Sequence, residues 1–211
     1  SCLDPPVEPV TPVVMIRPEP VETSFTVEDP CLTVSCALRQ MSLDAGSAQL
    51  SMDFYSNYDF LQEDAAWGEI QSAVIVVHGN NRNGSEYFSW LANALTSISQ
   101  ERNTLLIAPQ FKTSDDVASG SDEVIFSSNG WKRGFQSLNL TSGKLASYDI
   151  IDSVMSMLAN KDRFPFLEKI VVTGHSAGAQ FTNLYAAANP MDGVLEGVEI
   201  EDLVESSQFF F

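Results

Sequence analysis

The sequence predicts an α/β fold, a mostly parallel sheet with helices on both faces. Two observations predict it. Three apolar runs, Ala73–Val77, Leu105–Ala108 and Ile170–Val172, lack the alternation of a half-exposed strand and read as strands covered on both sides. Segments with apolar residues at helical spacing lie between and after them. Strand and helix therefore alternate along the chain, and right-handed crossovers turn that order into a parallel sheet.

The elements follow in order. Residues from Cys2 to about Pro20 are rich in Pro, Val and Glu. Repeated proline favours an extended spacer and opposes helix, so residues 1–25 read as a tether and 26–211 as an α/β domain. Ser24-Phe25-Thr26-Val27 is a candidate short strand. The core is expected to begin near Ala48, where Leu50, Met52 and Phe54 alternate with Ser51, Asp53 and Tyr55 in the pattern of an edge strand. Tyr58 to Leu61 is a candidate short partner. The strand over 73–78 leads into a helix over about 85–100, whose apolar face is Tyr87, Phe88, Leu91, Leu95 and Ile98. The run Leu105–Ala108 is stopped by Pro109. Residues 110–146, which include Trp131, Lys132 and Gly134, have the length of a functional or lid-like loop. Ser147 is placed to cap a helix over about 148–160 that turns Ile150, Ile151, Val154 and Leu158 inward. A strand over 169–173, a helix over about 177–188 and a strand over 198–204 complete the series.

The chain has 211 residues, enough for one domain with a sizeable core. Its net charge of −17 argues against nucleic acid as a partner, because phosphate binding needs clustered Lys and Arg. It also disfavours attraction to anionic membranes. No apolar run reaches the ~18 residues of a membrane span. The three cysteines all fall in the first 36 residues. Cys31 and Cys36 are close enough to bridge, which leaves Cys2 over. Ser1-Cys2 before Leu3-Asp4-Pro5-Pro6 resembles the end of a bacterial lipoprotein signal, with a small residue preceding a lipidated cysteine. The alternative is a free cysteine. Both fit an exported, oxidising location, extracellular or periplasmic. Lipidation of Cys2 would tether the protein to a membrane.

Two motifs carry chemistry. Gly174-His175-Ser176-Ala177-Gly178 directly follows an apolar strand and precedes a helix. G-x-S-x-G in that setting describes a nucleophile elbow, with Ser176 on a turn too tight for larger neighbours. The alternative is an ordinary strand-to-helix turn with an inert serine. Upstream, the strand over 73–78 ends in His78-Gly79-Asn80-Asn81. The two motifs in this order resemble those of α/β-hydrolases, where the loop after such a strand supplies one backbone donor of an oxyanion hole; that resemblance implies Asn80 or Asn81 as one donor here and Ala177 as the other. His78, Gly79, Trp131 and His175 are candidates to line the site, with Lys132 beside them.

Taken with Arg82-Asn83, Tyr87-Phe88, Ile107-Ala108-Pro109-Gln110-Phe111 and Gly130-Trp131-Lys132, these motifs resemble the α/β-hydrolase superfamily, and within it a group of secreted microbial serine hydrolases. The resemblance runs from about residue 48 to 205. It implies Ser176 as nucleophile and a substrate with an acyl bond, a small or polymeric ester being expected with lipid and amide left open. One departure is large. The order in this fold is serine, acid, histidine, yet the only histidines here are His78 and His175, and neither follows Ser176. Acids do follow it: Asp192, Glu196, Glu199, Glu201, Asp202 and Glu205. Phe209-Phe210-Phe211 would leave apolar area on an open sheet edge. The chain is therefore expected to be the N-terminal part of a longer hydrolase that lacks here its C-terminal strands, with acid and histidine beyond this sequence or on another chain. A non-catalytic surface binding protein and an acyltransferase are the alternatives. No metal-ligand spacing or phosphate-binding glycine loop is present, so neither metal nor cofactor is expected.

Overall fold

Eight strands and four helices make up a computed structural model that describes residues 24–139, 143–188 and 198–205, the last four of these through the backbone alone. The strands are β1 (Leu38–Asp44), β2 (Gln49–Ser56), β3 (Ser72–Val77), β4 (Thr104–Pro109), β5 (Lys112–Thr113), β6 (Ile125–Phe126), β7 (Lys169–His175) and β8 (Glu199–Glu205). The helices are α1 (Val34–Ala37), α2 (Gly84–Ser97), α3 (Ser147–Leu158) and α4 (Ala177–Ala188). One sheet has the order β1-β2-β4-β3-β7-β8, and β5 pairs with β6 separately. The pairs β4–β3, β3–β7 and β7–β8 are parallel, while β1–β2 and β2–β4 are antiparallel. This is the mostly parallel α/β sheet that the apolar runs predict.

Alternation along the central strands assigns the two faces. Ile75, Val77, Leu105, Ile107, Ile170 and Val172 join one core with Ile150, Ile151, Val154 and Leu158 of α3 and Phe181 and Tyr185 of α4. Val76, Leu106 and Ala108 meet Tyr87, Phe88 and Ala92 of α2 on the opposite face. Each fully buried aliphatic side chain contributes about 2 kcal/mol, so covering both faces sets the strand composition. The alternation was hidden in the sequence because both sides needed apolar residues.

Several expectations are corrected. Ser24 to Val27 forms no strand, although Thr26 exchanges hydrogen bonds with Ala66. The sheet begins earlier than Ala48, at β1, which only Met41 and Leu43 anchor by burial. Two inward residues are too few for a visible period. β1 covers the side of β2, so β2 is an inner strand, and its Ser51 and Asp53 are buried with its apolar residues. Tyr58 to Leu61 is a turn whose Tyr58 and Phe60 plug the core. Ile98 lies outside the apolar face of α2 and is 65% exposed. Ser147 is the first residue of α3 and not its cap, and Asp149 accepts the Ala146 N–H at 3.0 Å instead. Residues 1–23, which hold Cys2 and all but the last two residues of the tether, lie outside the described residues.

The described part of the stretch 110–146 is packed against the core rather than lid-like. Phe111, Val124, Phe126 and Trp131 are buried in the core. A buried charge cluster holds it to the sheet: Lys112 Nζ lies 2.9 Å from Asp53 Oδ2 and 2.7 Å from Glu123 Oε1. Burial opposes ionisation of Asp53, but hydrogen bonds from Ser119 and Lys112 outweigh it and keep the carboxyl below its usual range. Burial likewise opposes the Lys112 ammonium, and Glu123 and Asp53 overcome that and raise its pKa. Cys31 and Cys36 form a disulfide around the start of α1.

Candidate active site

Ser176 sits between the C-terminal end of β7 and the first residue of α4, exposed, at φ 58°. That is the left-handed region, which a serine adopts only under local constraint. The constraint comes from two glycines. A Cβ on Gly174 would lie 2.5 Å from the carbonyl carbon of Gly178. A Cβ on Gly178 would strike Val77 O and lie 2.8 Å from His78 O. Only hydrogen fits at either position, so strand, turn and helix close tightly and the serine is lifted to the surface.

The neighbouring loop comes against the same point. A Cβ on Gly79 would sit 3.8 Å from Ser176 Cβ and 2.9 Å from the Tyr87 hydroxyl. Arg82, itself at φ 52°, closes the turn by donating its backbone N–H to Gly79 O at 3.1 Å. Its guanidinium donates to Asn80 O at 3.0 Å and to Asp116 Oδ2 at 2.5 Å. Gln110 Nε2 donates to Arg82 O at 2.6 Å, while Gln110 Oε1 accepts the Gly84 N–H at 3.0 Å. Burial opposes ionisation of Asp116, but Arg82 and Thr113 hold its carboxyl below the ordinary range. Arg82, Gln110 and Asp116 thus brace the loop. The sequence marked Arg82 and Gln110 as part of a motif but gave no sign of this role, and nothing pointed to Asp116.

Among the described residues, no protein acceptor takes the backbone N–H of Asn80, Asn81 or Ala177. Ala177 opens α4, so its donor belongs to the free, positive end of a helix. Two chain segments therefore bring open donors to the neighbourhood of one exposed hydroxyl.

His78 plays a different part. It is fully buried, 4.8 Å from the Trp131 ring centre. Phe111 N–H donates to its Nε2 at 3.0 Å, so that nitrogen carries no proton. The proton is on Nδ1, which donates to Gly79 O at 2.9 Å. Burial lowers its pKa to about 4 and keeps the ring neutral. With both nitrogens engaged it lies behind the loop as a strut and not on the open side. Trp131 is also fully buried, stacked on Phe111 at 5.7 Å, so it supports the site from beneath. His175 is exposed beside Ser176, with Nδ1 3.4 Å from the Tyr87 hydroxyl. Lys132 donates to Asn80 Oδ1 at 2.8 Å. Glu199 and Glu201 lie on β8, where Glu201 pairs with Lys169 at 2.7 Å. Asp192 and Glu196 lie outside the described residues, and the side chains of Asp202 and Glu205 are not described. Among the described residues no group of three His, Cys, Asp or Glu is arranged to hold a metal ion, and no helix is long and apolar enough to cross a membrane.

The structure is similar to those of α/β-hydrolase enzymes. A poly(3-hydroxybutyrate) depolymerase from Bordetella parapertussis matches with a TM-score of 0.43 and 21% identity over 76% of this chain and 50% of its own. A siderophore hydrolase from Aspergillus nidulans matches with a TM-score of 0.41 and 14% identity, over 79% and 58%. An α/β serine hydrolase without lid from Xanthomonas campestris gives 0.38 and 16%, over 74% and 59%. The chain thus spans between half and three-fifths of the length of these solved structures. No protein-family model and no curated protein matches the sequence.

Proposed function

We propose that this chain is the nucleophile-bearing part of a serine hydrolase that cleaves an acyl bond, with esters as its substrates. One observation carries the reading: Ser176 is exposed at a left-handed φ of 58° beside a loop and a helix start whose backbone donors are open. Ser176 Oγ would attack the carbonyl carbon, and the carbonyl oxygen would become an anion held by Ala177 N–H and by Asn80 or Asn81 N–H. A serine hydroxyl needs a base to take its proton. His78 is excluded from that work by its two hydrogen bonds. The base and its acid are proposed to come from a histidine and a carboxylate beyond this sequence. The protonated base then gives its proton to the leaving alcohol, and water releases the acyl group by the reverse steps.

An exported location is part of the proposal, and the Cys31–Cys36 disulfide supports it. Tethering through Cys2 is proposed on the sequence alone.

The test is made on the complete natural protein with an activated p-nitrophenyl ester and a fluorophosphonate label. Ester hydrolysis and labelling at Ser176 are expected, with both lost in Ser176→Ala. Equal hydrolysis by Ser176→Ala would end this reading. Folded protein that neither turns over ester nor takes the label would instead favour a binding protein on the same scaffold.

A further inference from the structure

We propose that the side-chain amide of Asn80 is itself a hydrogen-bond donor to the reacting carbonyl oxygen, oriented for that task by Lys132. The inference rests on Ser176 being the nucleophile. Lys132 Nζ lies 2.8 Å from Asn80 Oδ1. An ammonium only donates, so the oxygen of the amide must face it, because the flipped amide would set donor against donor. The Nδ2 hydrogens are therefore turned away from Lys132. Among the described residues no acceptor meets them. Asn80 is exposed and directly follows Gly79, the residue whose added Cβ would come within 3.8 Å of Ser176 Cβ. Two side-chain donors, apart from the backbone N–H groups, thus sit on the residue that follows the glycine packed against Ser176.

Lys132 is an odd residue to find there for packing alone. It is 8% exposed, and no carboxylate of the described residues pairs with it, although the chain has 28 acidic residues against 11 basic ones. Withdrawing an ammonium from water carries a desolvation cost. A neutral amide oxygen and the face of Trp131, 5.9 Å away, offset only part of that. The cost is offset further when negative charge develops nearby. The ammonium polarises the amide and strengthens its N–H donors, and the gain is largest when the carbonyl oxygen becomes an anion. Asn80 is then a catalytic residue and Lys132 a positioning one.

The test uses the complete natural protein carrying Asn80→Ala, Asn80→Asp, Lys132→Arg or Lys132→Met, with a neutral p-nitrophenyl ester, fluorophosphonate labelling and thermal unfolding. Asn80→Asp keeps the shape and pairs with Lys132 but has no donor. Both Asn80 variants should lose about 100-fold in kcat with KM within about twofold of wild type, the signature of an interaction made in the transition state. Lys132→Arg should restore most of the rate, and Lys132→Met should lose about tenfold because the amide is free to flip. None of these losses should follow Tm across the series. A kcat in both Asn80 variants within about threefold of wild type overturns the inference, as does a loss that tracks Tm. Wild-type protein that takes no label at Ser176 overturns the nucleophile assignment beneath it, a different result from labelled protein indifferent to Asn80.

Discussion

Phe111 donates its backbone N–H to His78 Nε2 at 3.0 Å, and His78 Nδ1 donates in turn to Gly79 O at 2.9 Å. One imidazole thereby ties the start of the 110–146 stretch to the loop beside Ser176. A protonated ring would lose the bond from Phe111, since Nε2 could no longer accept.

This strut makes stability depend on pH. The folded-state pKa of His78 is lowered to about 4 from an ordinary 6.5. Between those values the unfolded chain binds a proton that the folded chain does not, so stability falls as pH drops from about 6.5 to about 4. The loss expected from this group is about 3 kcal/mol in total. Urea unfolding at closely spaced pH values should show it. His78→Gln, which cannot take up a proton, should flatten that part of the profile, apart from an offset for the altered bonds. A profile unchanged by the substitution would refute the assignment.

Ser176 carries strain that glycine would not. At φ 58° a serine costs about 1 kcal/mol relative to glycine. Ser176→Gly should therefore raise stability by about that amount while abolishing fluorophosphonate labelling. Chemical denaturation and mass spectrometry of the labelled protein measure the two effects. A destabilised glycine variant would show that the turn is not strained.

Gly178 answers to sterics alone. A methyl group there would strike Val77 O, which is backbone in the central sheet. Gly178→Ala should destabilise by about 3 kcal/mol or more and reduce labelling of Ser176, because the sheet and α4 must part. Gly46, at φ +80° with nothing within 4 Å of an added Cβ, is the control. Its alanine variant should cost only the backbone strain and leave labelling intact.

The cluster of Asp53, Lys112 and Glu123 offers a fourth measurement. Lys112→Met would leave two buried carboxylates without their shared cation. The expected loss at pH 7 is about 3–5 kcal/mol. In the wild type the depressed Asp53 pKa contributes stability above the ordinary carboxylate range, which is lost as pH falls through its folded value. Without Lys112 that contribution reverses, so the variant should regain relative stability in mild acid. Parallel melts of wild type and variant across pH 4–7 would reveal a difference that narrows toward acid, and one that widens would contradict the account.

Much of this fold was legible before any coordinates. β4, β7 and α4 lie within a residue or two of where the apolar runs and helical spacing placed them, and α2 starts one residue early and ends three residues short, because packing against the sheet demands apolar residues at those positions. The disulfide was legible from two cysteines five positions apart. β1 was not, because a strand with only Met41 and Leu43 buried looks like loop. Its absence from the reading made β2 look like an edge.

The sequence by itself determined the parallel α/β sheet and the glycine-flanked serine between β7 and α4. Both are local requirements, of periodicity and of turn sterics, and local requirements leave patterns in neighbouring residues. Only the tertiary structure decided that His78 is a buried strut, that Trp131 packs against it, and that Lys132 donates to Asn80 Oδ1. The bond between His78 and Phe111 spans 33 residues, and the one between Lys132 and Asn80 spans 52. Such partners meet only when the sheet assembles, and a hydrogen bond formed across that separation leaves no period in the chain to read.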